Sequence, residues 1–223
     1  MDYTLRQATA DDADALVRMH TAVREECYAG LLTPSFFAAR RASIGERTEQ
    51  RRPYLRQATD PRIIAVDEVG EIVGFADAGP GRDADRPQER ELFSLYTLRR
   101  TYGSGLGAAL LEAALDGSPA YLWVLEDNPR ARAFYARHGF APDGVRKLLP
   151  ADWEELPEIR LVRPPAADPA APPRRRPAQP RRAARDSPAR RPPAGSSARP
   201  AGRLLRKTRR RACPLLPAAT ALG

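Results

Sequence analysis

Leu92-Phe93-Ser94-Leu95-Tyr96-Thr97-Leu98-Arg99-Arg100-Thr101-Tyr102-Gly103-Ser104-Gly105-Leu106-Gly107-Ala108 is the stretch whose reading decides the architecture of this chain. Its first seven residues are apolar and aromatic-rich, the composition of a buried strand. Gly103, Gly105 and Gly107 then fall at every second position, and Ala108 to Leu115 is a strong helix former with apolar residues at helical spacing. Strand, glycine loop and helix in that order bring unpaired backbone N–H groups and the positive end of a helix dipole to one spot, which suits a phosphate. Glycine admits positive φ there and lets the backbone approach an anion closely. A Walker loop needs Lys-Ser/Thr after its last glycine, and Ala108-Ala109 stands in that place. A dinucleotide fingerprint runs G-x-G-x-x-G at the first turn of a βαβ unit, whereas this loop runs G-x-G-x-G and comes late. On these residues alone, a phosphate site and a ligand-free glycine turn both stay open.

Working outward, Ala120-Tyr121-Leu122-Trp123-Val124-Leu125 reads as a second buried strand, entered through Gly117-Ser118-Pro119. Two strands joined by a helical crossover should lie parallel. Upstream, Arg62–Val66 and Ile72–Ala76 are β-branched runs around a turn at 67–71, a hairpin, and residues 79–88 form a turn-rich loop. Tyr3–Gln7 is a short alternating strand. Thr9 with Asp11, Asp12 and Asp14 marks a helix start, and Ala15, Leu16, Met19, Ala22 and Val23 predict an amphipathic helix over 11–28. Thr33-Pro34 opens a charged helical region running, in one piece or two, to about residue 56. Downstream, Asn128-Pro129 opens a helix that Gly139 ends. Phe140 starts a strand region, residues 146–157 read as irregular, and Glu158–Val162 is the last strand.

Composition splits the chain near residue 163. Residues 1–163 hold 22 basic and 26 acidic side chains, a formal −4, while residues 164–223 hold 15 and 2, a formal +13. The expected division is one folded domain over 1–163 and a Pro/Arg/Ala-rich disordered tail over 164–223. Only that tail carries the charge to meet nucleic acid, and it has no aromatic residues for base stacking. Cys27 and Cys213 are the only cysteines and His20 and His138 the only histidines, so neither a disulfide framework nor a metal site is expected. With no basic, apolar leader and no apolar run of about 20 residues, a cytoplasmic protein with no membrane contact is the expectation.

Two segments together resemble the GCN5-related N-acetyltransferase (GNAT) superfamily, in its bacterial form. Leu95-Tyr96-Thr97 followed by Tyr102-Gly103-Ser104-Gly105-Leu106-Gly107-Ala108 is similar to the family's (Arg/Gln)-x-x-Gly-x-(Gly/Ala) motif after a strand. Asn128-Pro129-Arg130-Ala131-Arg132-Ala133-Phe134-Tyr135, ending in Gly139-Phe140, resembles its Asn-x-x-Ala-x-x-Phe-Tyr-x-x-x-Gly-Phe signature. Tyr102 departs from the expected Arg or Gln. Moving the frame back to Arg100-x-x-Gly103-x-Gly105 restores the literal match, but the first frame keeps Leu106 apolar and sets Gly107 at the helix start.

The resemblance implies an α/β (α+β) GNAT fold, with a mixed, mostly antiparallel sheet, a splayed parallel central strand pair and about four helices. It implies acetyl-CoA as cosubstrate and acetyl transfer to a primary amine by direct attack in a ternary complex. Residues 102–108 are expected to hold the pyrophosphate, the Leu95, Tyr96 and Thr97 backbone the pantetheine arm, and Asn128 the arm or its own helix. A backbone N–H near Leu95 would polarise the thioester carbonyl. Tyr135 takes the family's general-acid position, and Glu91, at the start of the central strand, is the carboxylate candidate for the base. Cys27 lacks a partner that would make it a nucleophile. Trp123 reads as core, and His20 as a helix-surface residue, with the acceptor groove as the other place the first helix could turn it. The acceptor is a small-molecule or protein amine, for which the acidic domain favours a cation, and a homodimer is admitted. The other classes are a non-catalytic acyl-CoA sensor and nucleic-acid binding through the tail.

Overall fold

The computed structural model describes residues 2–166. The expected tail lies outside the described residues from residue 167 onward. Seven strands form one sheet: β1 (Tyr3–Gln7), β2 (Arg62–Asp67), β3 (Ile72–Pro80), β4 (Arg90–Thr97), β5 (Ala120–Leu125), β6 (Ala141–Leu148) and β7 (Pro157–Arg163). Their spatial order is β1-β2-β3-β4-β5-β7-β6. Every neighbouring pair is antiparallel except β4 and β5, the pair predicted to be parallel.

Five helices flank the sheet among the described residues: α1 (Ala13–Tyr28), α2 (Pro34–Ala42), α3 (Ile44–Arg56), α4 (Leu106–Leu115) and α5 (Pro129–Arg137). The count exceeds four because the region after Thr33 breaks at Ser43, whose hydroxyl donates to the Arg40 carbonyl. Local capping explains the starts. Thr9 and Asp12 form a reciprocal capping box ahead of α1, and Thr33 accepts the Phe36 N–H at the start of α2.

Two apolar cores result. Leu16, Met19 and Val23 of α1 pack on Phe75 and Tyr96 on one face. Leu106, Leu110 and Leu111 of α4 pack with Tyr135 of α5 on Val73, Leu92 and Leu95 on the other. Gly74 brings α4 onto the sheet: a Cβ there would lie 2.9 Å from Leu110 Cδ1 and 3.1 Å from the Tyr96 carbonyl oxygen. Two boundaries differ from expectation. β3 continues through Gly79, where a loop was expected, because its partners in β4 continue to Arg90. Arg146, Lys147 and Leu148, expected to be irregular, pair with Ile159, Glu158 and Pro157. β6 is an edge strand with nearly every residue exposed, so it lacks the apolar alternation that reveals a strand.

Candidate active site

The β4–β5 ladder holds only at Glu91–Tyr121 and Leu92–Leu122. Beyond it each strand stays in register with its other neighbour, β4 with β3 as far as Thr97 and β5 with β7 as far as Leu125. The parting coincides with a bulge. Asp77 faces Ser94 while Ala78 faces Leu92, which leaves Phe93 as the surplus residue of β4. A bulge bends its strand and increases the local twist. Leu95, Tyr96 and Thr97 thus stand on one wall of an opening, with Trp123 to Leu125 on the other.

The glycine loop crosses the same end of the sheet. Gly103 and Gly105 have φ of +80° and +84°, and a Cβ on either would meet nothing within 4 Å. Both conditions suit close approach by a ligand. Ser104 folds back, its hydroxyl donating to the Thr101 carbonyl at 2.7 Å. Among the described residues, the Gly107 and Ala108 N–H groups in the first turn of α4 have no hydrogen-bond acceptor. Gly107 lies within the helix and Leu106 is buried, as the first frame requires. Arg100, the arginine of the other frame, points away and pairs with Asp67 at 3.0 Å and Glu71 at 2.7 Å. A guanidinium still reaches the loop, because Arg130 of α5 lies 3.6 Å from the Tyr102 ring centroid.

Helix α5 aims the second motif at the opening. The Asn128 side-chain oxygen accepts the Ala131 N–H at 3.0 Å, so it caps its own helix. Tyr135 is fully buried against Phe134 and Phe140, and its hydroxyl has no hydrogen-bond partner. Burial, reinforced by the Tyr96 phenol, holds its pKa well above the usual 10. The group therefore stays protonated, a buried donor with no acceptor.

Glu91 is the sequence-derived base candidate, and its carboxylate is heavily engaged. It accepts from Arg82 through the backbone N–H and Nε, each at 3.0 Å, and through Nη2, and from the Tyr121 hydroxyl at 3.0 Å. Its surroundings are those of an anchor that ties the loop after β3 to the sheet. A second carboxylate on this face was not singled out from the sequence. Glu158 of β7 pairs with Leu125 at the end of β5 that β4 has left. It is fully buried, neither oxygen has a hydrogen-bond partner, and the Lys147 ammonium is 3.9 Å away. Burial pushes its pKa up to about 8. The available signal was the alternation of Glu158 and Arg160 with Ile159 and Leu161, which puts two charges on one strand face.

Three further side chains differ in setting from one another. His20 is buried rather than on the surface, its ring centroid 4.8 Å from Phe75 and 4.6 Å from Tyr96. Trp123 is buried as expected but in polar company, donating to Asp83 at 2.9 Å beneath the Lys147 ammonium. Burial pushes the Cys27 thiol up to about 11, the opposite of what a nucleophile needs.

A parted parallel pair, a glycine loop at a helix N-terminus and a buried phenol thus lie together at one end of the sheet. The acetyltransferase (GNAT) family model matches residues 26–140, and the chain belongs to that family, whose cosubstrate is acetyl-CoA. YuaI of Bacillus subtilis, an uncharacterized N-acetyltransferase, is 30% identical over 115 residues, covering 45% of this chain and 66% of the relative. An uncharacterized N-acetyltransferase of Mycobacterium tuberculosis is 38% identical over 101 residues, covering 42% of this chain and 62% of the relative. The chain thus spans less than two thirds of the length of these relatives. Among solved structures, the PaiA N-acetyltransferase of Thermoplasma acidophilum in complex with coenzyme A has a TM-score of 0.55 at 18% identity. That match covers 72% of this chain and 98% of the other, and the likeness is one of fold. No helix among the described residues is long and apolar enough to cross a membrane.

Proposed function

We propose that residues 1–163 form an N-acetyltransferase unit that moves an acetyl group from acetyl-CoA to a primary amine by direct attack. The observation that carries this reading is the parting of β4 from β5 after Leu92 beside the acceptorless Tyr135 hydroxyl. The chain's residues fit the cosubstrate. The loop from Tyr102 to Ala108 offers open backbone at Gly103 and Gly105 and free N–H groups at Gly107 and Ala108 for a pyrophosphate. Arg130 adds a positive charge there. The Leu95–Thr97 wall lies where a pantetheine arm would run, with the Leu95 N–H as the donor to the thioester oxygen.

Bound acetyl-CoA supplies an activated acetyl group and a thiolate leaving group. Tyr135 gives that thiolate its proton, a role suited to a phenol kept neutral by burial. For the amine's proton, Glu158 is the stronger choice. Its oxygens have no hydrogen-bond partners and its carboxyl, raised to about 8, is basic enough to take a proton near neutrality. Glu91 already accepts four hydrogen bonds, three of them from Arg82, and its lone pairs are taken up by them. The full chain incubated with acetyl-CoA and a panel of primary amines should release CoA thiol in the presence of at least one of them. Tight acetyl-CoA binding without release from any amine would favour an acyl-CoA sensor instead.

A further inference from the structure

Four guanidiniums converge beneath the helical layer: Arg24 of α1, Arg40 of α2, and Arg47 and Arg51 of α3. All four act on the His20 ring. Together with burial, the larger cause, they push its pKa well below the usual 6.5 and keep the imidazole neutral. Too few carboxylates face them among the described residues. Asp77 takes Arg51, whose Nη2 reaches its two oxygens at 2.9 and 2.7 Å. Asp152, exposed at the surface, lies 3.4 Å from Arg40. Arg24 and Arg47 have no ion pair among the described residues, although they are only 2% and 7% exposed. Arg47 donates from Nη1 to the Thr21 hydroxyl at 2.9 Å and to the Arg40 carbonyl at 3.4 Å, while its Nε and the Arg24 Nε and Nη1 find no acceptor. The Trp153 ring, 4.6 Å away, lies against the Arg24 guanidinium but takes neither the Nε nor the Nη1 hydrogens. His20 Nε2 is unpartnered as well.

Burying a guanidinium without a counter-charge is costly, and a planar fork with an open edge matches a carboxylate or phosphate. The position bears on the chemistry. Arg24 lies 5.8 Å from the Tyr96 ring, on the part of β4 that has left β5. Asp77, which holds Arg51, also accepts the Ser94 hydroxyl of that strand at 3.1 Å. We propose that Arg24 and Arg47, with His20 beside them, form a subsite for an anionic group on the acceptor. The acceptor is then a primary amine that also carries a carboxylate or a phosphate. That the anion is carried by an acetyl acceptor rests on the acetyl-transfer reading, whereas the anion subsite itself does not. Net charge pointed the other way, toward a cation, because it sums over the whole domain and does not show that four arginines are gathered at one place.

Two measurements on the full chain test this. In calorimetric titration, glutarate or inorganic phosphate, probes without an amine, should bind. Arg24→Gln and Arg47→Gln should each weaken that binding about tenfold or more, with acetyl-CoA affinity kept as the sign of an intact fold. Arg24→Lys, which keeps the charge but loses the fork, should fall between, and it serves if Arg24→Gln does not fold. In the acetyl-transfer assay, L-glutamate and O-phosphoethanolamine should outpace cadaverine, and the better of the two distinguishes carboxylate from phosphate. Failure of both glutarate and phosphate to bind, or binding unchanged in the Arg24 and Arg47 variants, overturns the subsite. So does a clear preference for cadaverine. Intact, arginine-dependent glutarate binding with no transfer to any amine would uphold the subsite and remove the acetyl-transfer reading.

Discussion

The Arg130 guanidinium lies over the Tyr102 ring, 3.6 Å from its centroid. Tyrosine holds the loop position where the motif expects arginine or glutamine, and an arginine from the other motif comes to lie on it. The two motifs, more than twenty residues apart in the chain, therefore meet at one positive spot beside Gly103.

Replacing Arg130 with alanine should raise the KM for acetyl-CoA by about three- to tenfold, the loss of a partly exposed charge-assisted contact. It should change kcat little. Steady-state kinetics at two ionic strengths will show it, since the wild-type advantage should shrink in high salt. A KM that does not move would take Arg130 out of the binding site.

Tyr135→Phe removes one buried hydroxyl that has no protein partner. Stability should hold or rise slightly, because no hydrogen bond is lost. The rate of CoA release should fall by about 10²- to 10⁴-fold with acetyl-CoA affinity intact, the usual contribution of a general acid. Undiminished turnover would make Tyr135 a core residue only.

Glu158 yields a prediction about pH. Its carboxyl is raised from the usual 4.5 to about 8, so the folded chain holds this proton where the unfolded chain has lost it. The group's contribution is full below about pH 4.5, declines as pH rises toward about 8, and is level above that. Glu158→Gln should therefore fall less in urea midpoint between pH 6 and pH 9 than the wild type does. The same variant should lose the rise of kcat/KM with pH through about 8 that a base of this kind would give. Parallel stability curves would place the carboxylate in water rather than in the core.

At Gly105, φ of +84° lies where an L-residue is strained. Gly105→Ala should cost about 1–2 kcal/mol of stability, read as a lower denaturation midpoint. It should also weaken acetyl-CoA binding, because the new methyl occupies the open side of the loop. Gly107→Ala, inside α4, should do neither to the same degree.

How much of this was legible beforehand depends on the range of the interaction. Tyr3–Gln7, the hairpin read at 62–66 and 72–76, the β4–α4–β5 crossover and the α5 cap at Asn128 were readable because their signals are local: alternation, turn residues and capping side chains. Where Arg100 and Arg130 point, which bears on the frame of the glycine loop, was not readable from the loop itself. Residues far apart in sequence were opaque in a stronger sense. Arg24, Arg47, Asp77 and Glu158 each look like ordinary surface charges in their own segments. Tertiary packing alone buries them. Glu91 reversed the error, since a promising carboxylate proved to have four donors already, three from a loop whose pairing no local pattern announced.

Phe93 has a further consequence. Without it, Ala78–Leu92 and Asp77–Ser94 would belong to one unbroken antiparallel ladder, and β4 could lie straight against β5 along its length. A chain shortened by that one residue should still fold around both cores, yet close the seam between β4 and β5 beyond Leu92. The parting of the two strands coincides with a single residue of slack.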